Sequence, residues 1–157
     1  MNTRDIIHSV ARIIYYNTGK PVPKVQTLAM SSQEVKQEIV DLKLKLLSPS
    51  LLDFFQDYYY TTAEGWAEVF DYIYFRFDMP EYIAGRMDCD DFAFLMKSLI
   101  SAFFGLNYFS VVLGDSPLGY HAWNLFRTEE RHMQLEPQDG EFFELTEKGY
   151  KPEYILL

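Results

Sequence analysis

The run Cys89-Asp-Asp-Phe-Ala-Phe-Leu-Met-Lys-Ser-Leu-Ile-Ser-Ala-Phe-Phe104, followed by Gly105, decides how the rest of this chain is read. Counting from Cys89, the residues Phe92, Ala93, Met96, Leu99, Ile100 and Phe103 fall at +3, +4, +7, +10, +11 and +14, one apolar stripe of helical period. Phe94 and Leu95 lie off the stripe, so the helix is expected to be covered on more than one side. Asp88 is placed as its N-cap and Gly105 as its C-terminal stop. The only cysteine of the chain therefore falls in the first turn of a core helix. Unpaired N–H groups at a helix start carry partial positive charge and favour thiolate over thiol. Asp88, Asp90 and Asp91 oppose that effect, so an adjacent imidazolium would be needed to activate the sulfur. Two readings stand for Cys89, a packed core thiol or a nucleophile.

Outward from this helix the pattern changes character in both directions. On the N-terminal side, Ile6, Ile7, Val10, Ile13 and Ile14 predict a helix over 4–16, and the connector 17–24 is rich in turn formers. Ser31-Ser-Gln-Glu34 is a capping-box pattern, and Val35, Ile39, Leu42 and Leu46 extend a second helix to Pro49. A short helix is expected over 51–58. Thr61-Thr-Ala-Glu64 is a second capping box, continued by Trp66, Val69, Phe70, Ile73 and Phe77 until Pro80. On the C-terminal side the period shortens to two. Strands are expected over 109–113, 120–126 and 132–136, with a turn-rich loop at Gly114–Gly119 and short edges at 141–145 and 154–157. The expected class is α+β, one domain over 1–157, with a helical part over 1–80 and the cysteine helix packed on a C-terminal antiparallel sheet over 81–157.

Composition narrows the function classes. A chain of 157 residues buries roughly two-thirds of its unfolded surface without a staple, and one cysteine offers no internal disulfide. That usage fits a reducing compartment. No apolar run approaches the roughly 18 residues of a membrane span, and the first residues do not read as a signal peptide, so a cytoplasmic or otherwise intracellular protein is expected. The net charge of -9, from 23 acids against 14 bases, repels phosphate backbones and argues against nucleic acid as a partner. The aromatic residues between Phe54 and Phe77 read first as core.

Two further residues can join the cysteine. His121 opens an alternating strand in Tyr120-His-Ala-Trp-Asn-Leu-Phe126, where His121, Trp123 and Leu125 share one face. Glu136 ends the next strand in Leu135-Glu-Pro137, and a hairpin between the strands would bring its carboxylate beside the imidazole. An acid there would orient the ring, as in a nucleophile–base–acid triad.

A helix-start cysteine, a strand histidine and an acid one hairpin later follow the order of papain-like thiol hydrolases. Asp88-Cys-Asp-Asp-Phe-Ala93 resembles the cysteine motif of transglutaminase-like cysteine peptidases, and Tyr120-His-Ala-Trp-Asn124 resembles their histidine strand. With Leu135-Glu-Pro-Gln138 in place of the usual aspartate, the set is most similar to the C-terminal peptidase domain of fungal chimerolectins of the Marasmius agglutinin type. The resemblance spans roughly Tyr82 to Glu144. It implies a papain/transglutaminase-like core and a thiol-dependent peptidase or amidase acting on a peptide or protein substrate. Cys89 would attack the acyl carbon, His121 would move the proton, and Glu136 would orient His121.

There is no Gln between Asp57 and Met133 to serve as oxyanion donor. The Cys89 N–H, with Trp66 or Tyr82, is the candidate replacement, and Trp123 is a further groove candidate. No cofactor is required by this chemistry. The chimerolectins depend on calcium, however, and Asp88, Asp90 and Asp91 could supply oxygen ligands or simply complement the helix N-terminus. The chain carries no lectin repeat, so sugar binding does not follow from the resemblance. The alternative is a non-enzymatic binding or structural protein on the same kind of fold.

Overall fold

The computed structural model describes residues 21–49, 57–145 and 147–157. Its elements, in chain order, are β1 (Leu28–Ser31), α1 (Ser32–Asp41), β2 (Lys45–Leu46), β3 (Asp57–Tyr60), α2 (Ala63–Arg76), α3 (Cys89–Phe104), β4 (Phe109–Ser116), β5 (Gly119–Arg127), β6 (His132–Glu136), β7 (Glu141–Glu144) and β8 (Lys151–Leu156). Six strands form one sheet in the order β2-β8-β4-β5-β6-β7, and β1 pairs with β3 in a separate ribbon. All pairings in the large sheet are antiparallel except β2 with β8, which is parallel.

The expected fold class is corrected by this architecture. Strands run through the whole described chain rather than following a helical first half, and the main sheet is mixed rather than antiparallel. It is a sheet-organised fold with three helices among the described residues, not the anticipated papain- or transglutaminase-like α+β core. The helix expected over 4–16 lies outside the described residues. So does most of the one expected over 51–58, whose last two positions, Asp57 and Tyr58, begin β3.

Local chemistry explains the other departures. The capping box forms, with the Glu34 N–H donating to Ser31 Oγ at 3.3 Å and the Ser31 N–H donating to Glu34 Oε2 at 2.8 Å. But α1 ends at Asp41, because Lys43 adopts a left-handed φ of 58° and turns the chain. Leu44 is then buried, and Leu46 enters a strand beside β8 instead of continuing the helical stripe. The second cap lies one residue further on than Thr61. Thr62 accepts the Gly65 N–H at 3.1 Å, while Thr61 donates to the Gln26 carbonyl at 2.6 Å. The segment 154–157 belongs to no edge, since β8 sits between β2 and β4. The expected loop at Gly114–Gly119 is mostly strand; Ser116 pairs with Gly119 across a tight turn at Pro117-Leu118.

The sequence of α3 accounts for its seat. Asp88 is its N-cap, and Gly105 closes it at φ 68°, the left-handed value that glycine takes without strain. Its buried side chains are Phe92, Ala93, Met96, Leu99 and Ile100. The small pair Ala93 and Ala122 brings it close to β4 and β5, and the Asn124 amide on β5 donates to the Ala93 carbonyl at 3.0 Å. Lys97 donates to the Phe109 carbonyl at 2.8 Å, and burial pushes its ammonium down to about 8. The neighbouring core is aromatic. Trp66, Phe70, Phe109 and Phe126 interlock, with Trp66–Phe126 and Phe70–Phe126 centroids 5.1 and 5.2 Å apart.

Helix α1 is tied to the sheet through Glu38. Its carboxylate accepts from Arg127 Nε at 3.0 Å, His132 Nε2 at 2.9 Å and Tyr108 Oη at 2.7 Å. Burial pushes the Glu38 carboxyl upward, but the bonds from His132 and Tyr108 and the charges of His132 and Arg127 outweigh it and hold the group below the usual range. Unfolding then takes up a proton. The contribution is complete above the unfolded carboxylate value of about 4.3 and is lost as pH falls through the lower folded value. Glu38→Gln should cost about 2 kcal/mol in urea unfolding at pH 7. The gap between the two proteins should narrow below pH 4, and a gap independent of pH would contradict this ion-pair account.

Candidate functional site

Strands β5 and β6 run antiparallel with Asn124 opposite Leu135, so His121 and Glu136 come together near one end of the sheet. Both are buried, at 7% and 6% exposure. His121 Nε2 lies 2.7 Å from Glu136 Oε2. A carboxylate only accepts, so Nε2 carries the proton. This is the orienting contact that the hairpin spacing predicts.

Glu136 has further partners. Tyr150, just before β8, donates its hydroxyl to the same Oε2 at 3.1 Å, and the Gln138 N–H reaches Oε1 at 3.4 Å. Burial, then the Glu136 charge, raise the Tyr150 phenol, so it stays a donor. The imidazole stacks on Trp123 at 6.0 Å, and the Tyr150 ring stands edge-on to Trp123 at 5.1 Å. Tyr74 on α2 donates to the Pro137 carbonyl at 2.9 Å and fixes the turn behind Glu136. The ring is thus held by one carboxylate and two aromatic neighbours. Tyr150 and Tyr74 carry no mark in the sequence, since neither belongs to a recognisable motif; the tertiary fold brings Tyr150 to Glu136 and Tyr74 to the Pro137 carbonyl.

Cys89 is half-buried and packs with Ala93, Val111 and Ala122. Ala122, the strand residue that follows His121, is among the side chains it packs on. Among the described residues no hydrogen bond joins Cys89 to His121 or Glu136. The structure links the expected base and acid to each other but does not bond the sulfur to either.

The remaining sequence candidates separate. Trp66 is 1% exposed and its Nε1 donates to the Arg127 carbonyl at 2.7 Å. Trp123 is fully buried and its Nε1 donates to Gln134 Oε1 at 2.8 Å. Both are core residues with their N–H groups satisfied, and only Tyr82 is exposed. Asp88 and Asp90 converge with Cys89, their ligand atoms within 4.8 Å of one another. Asp91 turns back instead to accept the Asp88 N–H at 3.3 Å. A hydrogen bond to Asp90 and the Gly85 N–H lower the Asp88 carboxyl, while the bond to Asp88 raises that of Asp90. Two carboxylates and a thiol fall short of the six to eight oxygens, roughly, that calcium takes, so the rest would have to come from water or from a bound ligand.

No protein-family model matches the chain, and no curated protein matches it. Among solved structures it is similar to a complex of PSL1a with E64, at 19% identity and a TM-score of 0.63. It is likewise similar to the Polyporus squamosus lectin bound to the epitope Neu5Aca2-6Galb1-4GlcNAc, at 18% identity and a TM-score of 0.59. Each match covers 83% of this chain and 50% of the other, so the chain spans about half the length of either neighbour. At that identity the likeness is one of fold, and the fold is shared with a lectin.

The expected membership of the transglutaminase-like or papain-like cysteine peptidases is corrected by this finding: no family model matches, and the two solved structures, PSL1a and a lectin, are not described as peptidases. The thiol-hydrolase activity, which rested on that membership, is corrected with it. No helix among the described residues is long and apolar enough to cross a membrane.

The pairing at Glu136 has a direct readout. Long-range ¹H–¹⁵N spectra of the imidazoles should show His121 protonated at Nε2, with slow exchange, in the wild type. Glu136→Ala should release it into rapid tautomer exchange. Tyr150→Phe should keep the tautomer and cost about 2 kcal/mol, one hydrogen bond to a charged group. A proton on Nδ1 alone in the wild type would contradict the arrangement.

Proposed function

We propose that this chain is a non-enzymatic ligand-binding module and that the corner formed by His121, Glu136 and Tyr150 is its binding site. The observation that supports this most is the imidazole held by Glu136 and Tyr150. Its proton is fixed on Nε2, which leaves Nδ1 as an acceptor of set direction. A preorganised polar group against aromatic rings suits a ligand with hydroxyl groups and apolar C–H faces. Glycans are that class, and the fold likeness to a sugar-bound lectin makes them the first to test. The single free cysteine fits an intracellular setting for this role. If the Asp88–Asp90 pair holds calcium, adding calcium would raise the melting temperature.

The test is calorimetric titration of the full chain with Neu5Acα2-6Galβ1-4GlcNAc, galactose and N-acetylglucosamine. Saturable binding is expected for at least one of them. It should weaken about tenfold in Glu136→Gln and in Tyr150→Phe, the loss of one well-placed hydrogen bond. Absence of saturable binding to all three would overturn the glycan assignment. Turnover of an ester or amide that disappears in Cys89→Ala would overturn the non-enzymatic reading altogether.

A further inference from the structure

A second concavity lies at the far end of β5, where α2 crosses the β5–β6 hairpin. Its lining has no residue in common with the corner at Glu136, although Phe142 pairs with Leu135, the neighbour of Glu136. It encloses about 170 Å³ and is walled by Trp66, Phe70, Phe126, Met133 and Phe142, with Glu130 on its rim. Cavities of about 150 Å³ with apolar walls stay dry and accept a benzene ring.

Three features define what would fit. First, the walls are apolar with few donors; Trp66, Phe70 and Phe126 are nearly buried among one another, so Phe142 and Met133 present the accessible apolar surface. The Trp66 N–H is already bonded to the Arg127 carbonyl, and the Thr128 hydroxyl to the Arg131 carbonyl at 2.9 Å. Second, the mouth is framed by Phe142, which is 52% exposed although its ring lies 6.0 Å from Phe70. A large apolar side chain left half in water at the entrance of an apolar cavity is stabilised by anything that covers it. Third, the rim is unbalanced in charge. Glu129 is occupied by the Ala63 N–H at 2.7 Å, and Arg131 is paired with Glu144 at 2.6 Å. Glu130 has no ion-pair partner among the described residues. The free charge at the mouth is therefore negative, on a chain of net charge -9, and aromatic faces add their own attraction for a cation.

We infer that this cavity binds a small arylalkylamine, the ring seated against Phe142 and Met133 and the ammonium paired with Glu130. The probes are phenethylamine, neutral benzyl alcohol and anionic phenylacetate, titrated calorimetrically into the full chain. Phenethylamine should bind saturably and tightest, and phenylacetate weakest. Glu130→Gln should reduce the preference of amine over alcohol about threefold, the size of one exposed charge pair. Phe142→Ala, a change at a half-exposed position that leaves the core intact, should weaken phenethylamine about tenfold. No saturable binding of any probe would overturn the site. Equal affinity for amine and alcohol would overturn the cation assignment, and binding untouched by Phe142→Ala would place the ligand elsewhere.

Discussion

The structure depends on the pairing of β4 with β5. Eight consecutive residues of each strand, Phe109–Ser116 and Gly119–Phe126, lie in register across a turn of two residues. That hairpin is the centre of the six-stranded sheet. Its pleat assigns the side chains to faces. Ala122 and Asn124 turn to α3, where the first allows close approach and the second bonds the Ala93 carbonyl. His121, Trp123 and Leu125 turn the other way. A slip of one residue would exchange the two sets, burying His121 against α3 and exposing Asn124.

The same parity governs what the chain can do. The pairing of β5 with β6 brings Glu136 to His121, and β8, by flanking β4, lets Tyr150 approach the same carboxylate. Gly114 is part of this geometry. It pairs with His121 at the point where the register of β8 shifts, and a Cβ there would stand 2.1 Å from the Lys151 carbonyl oxygen. The bulge lets β8 continue while the strands on its other side stay in register. Cys89 is set by a different constraint, the packing of α3, and that constraint puts it against Ala122.

Much of the local structure was legible. Asp88 and Gly105 bracket α3 because a cap and a left-handed glycine are chemical signals carried by single residues. His132–Glu136 alternates cleanly and forms β6 over those same residues. The pair His121 and Glu136 could be read from hairpin spacing alone. What failed depends on distant partners. Leu46 fits a helical stripe and becomes a strand only because β8, more than 100 residues later, offers it an edge. The strands β1 and β3 are short and lack turn signals at both ends, so the ribbon they make is invisible locally. The class and the activity went wrong through motif order. A cysteine, a histidine and an acid in sequence say nothing of which face of a sheet each occupies, and the fold is one that a lectin shares.

The central claim is that the His121–Glu136 corner recognises a ligand and does not activate a thiol. The most direct measurement is the rate at which iodoacetamide alkylates Cys89 at pH 5, in the wild type and in His121→Ala, with and without calcium. A slow reaction of equal rate in both proteins is the predicted result, because the sulfur packs on Ala122 and, among the described residues, no hydrogen bond joins it to the imidazole. Fast alkylation of the wild type at that pH, lost in His121→Ala, would mean that the imidazole holds Cys89 as a thiolate, and it would contradict the account.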